Sequence, residues 1–264
     1  MPELAEVETF RRLAHHTLFA QELVYVSAAE DSLVFDDVNR DDVEQRLRGR
    51  MVVGTGRHGK HAWLHLDNDR FLLLQFGMSG ELVCAEPSEE VRHAKLELVT
   101  EGGLRLVYRC PRRIGRIRFR DTLFEEAPLK GLGADPYLSL PEVHAFVDLL
   151  SAKKKTIKGV LLDQNVLAGV GNWLADEVLF QSRIAPQRRA CELSFDEVVL
   201  LRTCLTDVLA LAVEVNADET RFPKTWLFHV RWGKKTGSRT QEGDLLVFDK
   251  VAGRTTAWVP KVQK

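Results

Sequence analysis

The spacing of apolar residues changes once along this chain, and that change limits the folds open to it. Residues 22–120 are strand-rich, with short runs of period-two alternation or β-branched and aromatic content: QELVYVSA, GRMVVGTGRH, KHAWLHLD, RFLLLQF, AKLELVT and LRLVYR. Successive side chains of a strand point to opposite faces, so such runs read as half-buried strands. Gly54, Gly56, Gly59, Gly77, Gly80, Gly102 and Gly103 punctuate them as turn positions. From Pro141 the period lengthens to that of helices in PEVHAFVDLLSAK, KTIKGVLLD, VGNWLADEVLFQS and SFDEVVLLRTCLTDVLALAVE. Strands gathered first and helices second predict an α+β chain whose sheet is an antiparallel sandwich or barrel, not the parallel sheet of alternating β and α units.

Finer features fill in this outline. Val7, Phe10, Leu13, Ala14 and Leu18 recur at helical spacing, predicting a helix over 5–18. Pro2 at its edge costs nothing, because first-turn amides lack an internal partner. DDVNRDDVEQRLRG reads as a short helix, and Ser194 with Glu197 three residues on is a capping-box signature. In the tail, TWLFHVRW, DLLVFDKV and TTAWVP return to strand-like runs and predict a hairpin after the helices. The expected domains are an N-terminal β-sandwich over 1–125, a linker over 126–135, a helical domain over 136–217 and a β-hairpin over 218–264. With 264 residues and 45% hydrophobic content, the chain can bury two modest cores.

Net charge is -1, so the total gives no sign of a nucleic-acid partner. Its distribution does. Residues 103–120 hold seven arginines and no acid, residues 221–264 hold ten Lys or Arg against three acids, and Glu30 to Glu44 is acidic. Segregated charge either focuses a positive field on one face or is merely solvated. The four cysteines, Cys84, Cys110, Cys191 and Cys204, form no CxxC, which excludes a zinc ribbon of ordinary spacing and fits a reducing compartment. No metal or cofactor is expected. MPELAEVETFRR has no apolar signal region, and no run is long enough to span a membrane. A monomer is expected, in the cytoplasm or nucleoid of a bacterium or the nucleus of a eukaryote.

Chemistry concentrates in four separated segments: PELAEVE at 2–8, GRHGK at 56–60, PRRIG at 111–115 and LLDQNVLAGVGNWLADEVLF at 161–180. Taken alone, Pro2 is either an inert second residue or, once Met1 is removed, a secondary amine. An α-amine titrates near about 8, so part of it is neutral and nucleophilic at physiological pH. Glu3 and Glu6 alone read as acids favouring a helix N-terminus. Lys60 alone is a solubilising hairpin lysine, and Met78 a strand-edge core residue. Gly169 and Gly171 allow a tight turn before a helix N-terminus, a natural anion site.

The order and spacing of these segments resemble the formamidopyrimidine-DNA glycosylase and endonuclease VIII family over nearly the whole chain. The tail, FPKTWLFHVRWGKK with GRTTAWVPKVQK, resembles the branch without a zinc finger, including plant-type members. The resemblance implies a β-sandwich domain, a helix–two-turn–helix domain and a zincless β-hairpin finger. It also implies a bifunctional glycosylase and AP lyase of base excision repair, acting on damaged double-stranded DNA by β,δ-elimination through an N-terminal proline Schiff base. Pro2 would be the nucleophile, Glu3 the proton-transfer group, Glu6 a residue ordering the site, Lys60 a proton donor near the damaged nucleotide, and Arg254 a grip on the flanking phosphate. His93, Arg112, Arg113, Lys154, Gly169, Gly171 and Asn172 would bind DNA, and Met78, Arg112 and Ile114 would form the strand-invading wedge. Trp226, Phe228, Trp232, Phe248 and Trp258 would supply the apolar core that replaces four zinc-binding cysteines.

Five positions depart from the family pattern. Ala5 stands for a second proline, Cys110 for an aspartate, Ile114 for a phenylalanine, and Ala94–Lys95 for Asp-His. The segment VNADETRFPKTW is short where some relatives carry a longer loop over a flipped oxidised purine, which favours ring-opened purines and hydantoins over 8-oxoguanine as substrates. The alternative of another class is a catalytically quiet DNA-binding module of the same architecture.

Overall fold

The computed structural model describes residues 2–264. The chain forms two compact units divided between Gly131 and Leu132.

The first unit opens with α1 (Leu4–Leu18), followed by β1 (Leu23–Ala28), α2 (Arg40–Leu47), β2 (Val52–His58), β3 (His61–Leu66), β4 (Phe71–Gln75), β5 (Glu81–Cys84), β6 (Ala94–Thr100), β7 (Arg105–Arg109) and β8 (Arg116–Arg120). The strands make two four-stranded sheets, ordered β1-β6-β7-β5 and β2-β3-β4-β8. Every pairing is antiparallel, so the antiparallel sandwich expected from the alternation is present. Val7, Ala14 and Leu18 are buried in the core between the sheets, with Phe10 and Leu13 packed against it. These are the residues whose spacing predicted the helix. Asn39 caps α2 by accepting from the Asp42 amide at 2.9 Å.

Strands β5 and β8 fall inside the strand-rich region 22–120 but are not among its individually recognisable runs. In β8, RIRFR alternates cleanly, burying Ile117 and Phe119 and turning its arginines outward. The density of charge hid a period of two.

The second unit holds α3 (Val143–Ser151), α4 (Ile157–Leu161), α5 (Asn172–Gln181), α6 (Phe195–Glu214) and a hairpin of β9 (Val247–Val251) and β10 (Arg254–Trp258). The capping box of α6 is present, with the Glu197 amide donating to Ser194 Oγ at 3.3 Å and the Ser194 amide to Glu197 Oε2 at 2.8 Å. TWLFHVRW is not a strand. It folds as a 3-10 turn over Leu227–His229, because its aromatics pack sideways: Phe222 stacks on Trp226 at 4.8 Å, and Phe228 meets Phe222 edge-on at 5.1 Å and Trp173 at 5.3 Å. Among the expected tail aromatics, Trp226 and Phe228 are buried and Phe248 packs against a core of Leu227, Leu246, Ala257 and Val259. Trp232 remains half exposed, and Trp258 donates its indole hydrogen to Asp249 at 2.8 Å.

A buried carboxylate seats the hairpin on α5. Asp176 receives Lys158 Nζ at 2.6 Å, Arg231 Nη2 at 2.7 Å and the β10 amide of Ala257 at 3.1 Å. Lys158 also donates to Thr256 Oγ1 at 2.7 Å. Burying such charges is tolerable only because each is paired and hydrogen-bonded. Among the described residues, no group of three or more His, Cys, Asp or Glu is placed to hold a metal ion. None of the described helices is long and apolar enough to cross a membrane.

The neighbouring Glu177 predicts an unusual pH profile. Its carboxylate accepts from the Phe228 amide and from Gln181, both at 2.8 Å. Burial nevertheless outweighs these bonds and pushes its pKa up to about 7. A raised carboxyl pKa means that the folded state holds the proton more tightly than the unfolded chain. Stability is then greatest at and below the unfolded value, near about 4.3, and falls as pH rises to about 7, by up to about 3 kcal/mol. His61 works in the opposite sense. Burial, then Arg118, pulls its pKa down to about 4, so its contribution is lost as pH falls from 6.5. The difference between wild type and Glu177→Gln cancels the His61 part. Urea unfolding from pH 4.5 to 8 is expected to show the wild type losing stability relative to the variant as pH rises. Parallel profiles would contradict the assignment.

Candidate active site and nucleic-acid interface

In the first unit, the N-terminal segment, two strand ends and one loop meet at a single cavity. Pro2, Val7, Lys60, Gln75, Phe76, Gly77, Met78 and Ile114 line a space of about 260 Å³. The sequence reading placed Pro2, Lys60, Met78 and Ile114 in one site from four distant segments, and the fold brings them together. It did not single out Gln75, at the end of β4. The signal was there: Gln75 is the polar residue that closes the apolar run FLLL.

Glu3 is the N-cap of α1 and is 2% exposed. Its backbone amide donates to Glu6 Oε2 at 3.0 Å, and its side chain accepts from the Glu6 amide, closing a capping box. Glu6 therefore fixes the backbone between Pro2 and Glu3, which accounts for an ordering role. Ala5 is fully buried under this turn, and its carbonyl accepts from Thr9.

Lys60 sits on the two-residue turn joining β2 to β3, after Gly59 at φ +57°. Arg57, buried to 3%, donates to the Gly59 carbonyl at 3.0 Å and to Glu8 on α1 at 3.2 Å. Burial favours the neutral form of Glu8, but Arg11, Arg57 and Arg12 outweigh it and hold the carboxyl below its usual range. The helix carrying the nucleophile candidate and the turn carrying the lysine are thus joined by one charge-assisted chain. The sequence reading passed over both Glu8 and Arg57.

Met78 and Ile114 are partly exposed, at 45% and 37%. Gly77 makes their approach possible. It adopts φ +59°, and a Cβ there would lie 2.6 Å from the Ile114 carbonyl oxygen. Cys110 is buried and its thiol accepts from the Gly115 amide at 3.4 Å, so sulfur keeps an acceptor at that point of the loop. His93 is exposed at φ +63°, and its carbonyl accepts from the Cys110 amide at 3.0 Å.

The arginine run is largely committed to acids. Arg105 pairs with Glu97, Arg109 with Glu81, Arg113 with Asp31, Arg116 and Arg118 with Asp36, and Arg120 with Asp37. Four of the seven arginines are therefore paired with the acidic segment of Asp31, Asp36 and Asp37. Arg112 is the exception among the seven: it is exposed and makes no ion pair with the described residues. Arg113, which the sequence allows either on DNA or as a brace of the loop, pairs with Asp31 and keeps 51% of its side chain exposed.

In the second unit, Gly169 takes φ +103° and Gly171 an extended conformation as the N-cap of α5. Only Gly169 needs glycine's freedom. Gln164, which the sequence reading missed, stitches this turn: it accepts from the Gly169 amide at 3.0 Å and donates to the Leu162 and Val170 carbonyls at 2.9 Å. Asn172 begins α5 and donates to the Thr255 carbonyl at 2.9 Å, which ties it to β10. An amide has two hydrogens, so one donor remains beyond that bond. Its Oδ1 is buried without a partner. Arg254 is exposed, directly after the Ala252–Gly253 turn, where both residues have positive φ as a tight hairpin requires. Asn172 and Arg254 are thus brought to the same end of the hairpin. Lys154 is exposed between α3 and α4, while Lys155 beside it pairs with Asp163 at 3.2 Å. Lys158, three residues further on, is wholly buried.

Comparison with known proteins places this geometry. Residues 1–117 match the formamidopyrimidine-DNA glycosylase N-terminal domain, and residues 132–224 match the formamidopyrimidine-DNA glycosylase H2TH domain. The whole chain is 36% identical to a formamidopyrimidine-DNA glycosylase of Arabidopsis thaliana, covering 71% of that protein. It is 31% identical to one from Heliobacterium modesticaldum, with both covered fully. Among solved structures, the Lactococcus lactis enzyme bound non-covalently to DNA with an AP site aligns over 99% of both chains at a TM-score of 0.86 and 25% identity. A point variant of that enzyme in complex with DNA containing Fapy-dG aligns over 100% of both chains, at a TM-score of 0.86 and 26% identity. The chain belongs to the formamidopyrimidine-DNA glycosylase family.

Proposed function

We propose that this protein is a bifunctional DNA glycosylase of base excision repair, which removes a damaged base from duplex DNA and then cuts the strand. The observation that carries the reading is the single cavity lined by Pro2, Lys60, Met78 and Ile114. It joins two amines with two apolar side chains at its rim. The glycosidic bond is inaccessible inside a duplex, so the target nucleotide must leave the stack and something must fill its place. Met78 and Ile114 supply apolar surface for that wedge, and Arg112, which makes no ion pair among the described residues, supplies hydrogen bonds to the estranged base.

The chemistry follows from the groups present. With Met1 removed, the neutral Pro2 nitrogen attacks C1′ of the deoxyribose. The C1′–N bond breaks, its electron pair departs with the base, and a proton from Lys60 neutralises that leaving group. Glu3 protonates O4′ as the sugar ring opens, while the nitrogen loses its own proton and becomes a cationic iminium. The iminium acidifies the 2′ hydrogens. Loss of one 2′ proton to water breaks the C3′–O bond and expels the 3′ phosphate. Loss of the 4′ proton, acidified through the conjugated iminium, breaks the C5′–O bond and expels the 5′ phosphate, after which water hydrolyses the iminium and frees Pro2. Asn172 and Arg254 grip phosphates flanking the lesion, with Lys154 on the backbone further away; such contacts position and do not read sequence. The related lactococcal enzyme has been solved with Fapy-dG DNA, which supports ring-opened purines as substrates here. The short segment after α6 is closed by a 3-10 turn at Glu219–Arg221 and supports the same preference.

A panel of duplexes, each carrying one defined lesion, tests this reading. Base release and strand scission are expected on Fapy and hydantoin duplexes, with weaker cleavage of 8-oxoguanine. Tight binding to all of them without release of any base would favour the quiet DNA-binding alternative.

A further inference from the structure

We propose that Asp31 is the positioning residue of the strand-invading loop, fixing Arg113 in its left-handed conformation and so setting the placement of Arg112 and Ile114 on either side; the inference rests on the glycosylase reading above. Asp31 lies between β1 and α2, 82 residues away from Arg113 in sequence. Its side chain is 2% exposed. Oδ1 accepts from the Leu33 amide at 3.2 Å and the Val34 amide at 3.4 Å, so its own turn fixes the carboxylate's orientation. Arg113 then grips it with both sides of its fork, Nε on Oδ2 at 2.8 Å and Nη2 on Oδ1 at 3.0 Å. Lys95 adds Nζ on Oδ2 at 2.8 Å.

This clamp acts at the one point of the loop that needs it. Arg113 adopts φ +55°, a left-handed conformation that costs a residue with a side chain roughly 1–3 kcal/mol unless its surroundings enforce it. A bidentate charge-assisted pair to a buried carboxylate is of the strength required. The clamp pins the Arg113 guanidinium to Asp31 while about half of that side chain stays exposed at 51%, and so fixes the backbone on which its neighbours sit. Arg112 is exposed, and Ile114 is 37% exposed. On its other edge the loop is fixed by the close approach of Ile114 to Gly77, beside Met78. Asp31 touches neither the cavity lining nor the reacting groups. It acts through Arg113 alone.

The test compares wild type with Asp31→Asn, Arg113→Lys and Lys95→Met under single-turnover conditions. Each is assayed on a lesion duplex and on a single-stranded oligonucleotide with a preformed abasic site, with thermal melting measured in parallel. Asparagine keeps an acceptor for the local turn but not the charge, and lysine cannot grip two oxygens at once. Both variants are expected to lose roughly ten- to hundred-fold in duplex excision, as misplacement of a positioning element does. For Asp31→Asn, cleavage of the single-stranded abasic site is expected to stay within about two-fold, since that substrate has no stack to fill. Lys95→Met is expected to stay near wild type on both substrates, because the bidentate pair survives. Adding Ile114→Ala to Asp31→Asn is expected to cost little more, since both act on one loop. Equal losses on both substrates that track a lowered melting temperature would overturn the proposal. So would full multiplication of the Asp31→Asn and Ile114→Ala losses. A wild-type protein inert on every substrate would overturn the glycosylase reading itself, and this inference with it.

Discussion

Glu3→Gln is expected to slow release of a damaged base from duplex DNA by about two to four orders of magnitude, the range that general acid–base catalysis contributes. Cleavage of a preformed abasic site is expected to fall far less. The expectation comes from where Glu3 sits. Its side chain is buried at the N-cap of α1, beside Pro2, the proposed nucleophile. Glutamine has nearly the same shape, and its amide oxygen can still accept from the Glu6 amide. The capping box therefore survives, so α1 and the placement of Pro2 are retained. What is lost is the transferable proton. Ring opening with base departure needs that proton, whereas attack on the open aldehyde of an abasic site needs only a neutral amine. Single-turnover rates on the two substrates, with melting temperature as a control for folding, check the split. Equal losses on both would assign Glu3 a structural role.

Much of the fold was legible because it is written in local periods. α1 and the alternating strands follow from residues that lie within one element, as Val7, Phe10, Leu13, Ala14 and Leu18 do. The failures have specific causes. RIRFR reads as a charge run until Arg116 and Arg118 are seen to face Asp36, and Arg120 to face Asp37, about eighty residues earlier. TWLFHVRW has strand-like composition, but its aromatics find partners in Trp173 and Phe222 and fold it into a turn. The tail reads as a β-hairpin over 218–264, and its packing is not written in its own sequence. It belongs to one compact unit running from Leu132 to Lys264, in which Asp176 gathers Lys158, Arg231 and the Ala257 amide.

The candidate site divides along the same line. Pro2, Lys60, Met78 and Ile114 belong to short motifs, and they share one cavity. The charge pairs that brace the fold, two in the first unit and one in the second, are not marked in this way. Arg57 with Glu8, Asp31 with Arg113, and Lys158 with Asp176 are all long-range charge pairs. One sequence without a partner map cannot reveal such pairs, because each member alone is an ordinary charged residue.

The second large effect concerns Pro2, the centre of the account. A secondary amine attacking C1′ must pass through a cationic iminium attached to DNA, and borohydride reduces that species to a stable amine. Blocking removal of Met1 is expected to abolish the adduct altogether, because the proline nitrogen would be locked in an amide with its lone pair delocalised. Pro2→Gly is expected to retain weak trapping, since glycine keeps a terminal amine on a freer backbone and its poorer placement costs orders of magnitude in rate. Lys60 is the rival, a second amine lining the same cavity. The decisive measurement is mass spectrometry of the protein–DNA adduct after borohydride reduction on a lesion duplex. The account predicts a modified peptide that begins with Pro2 and lacks Met1. An adduct mapped to Lys60, and persisting when the N-terminus is blocked, would contradict it.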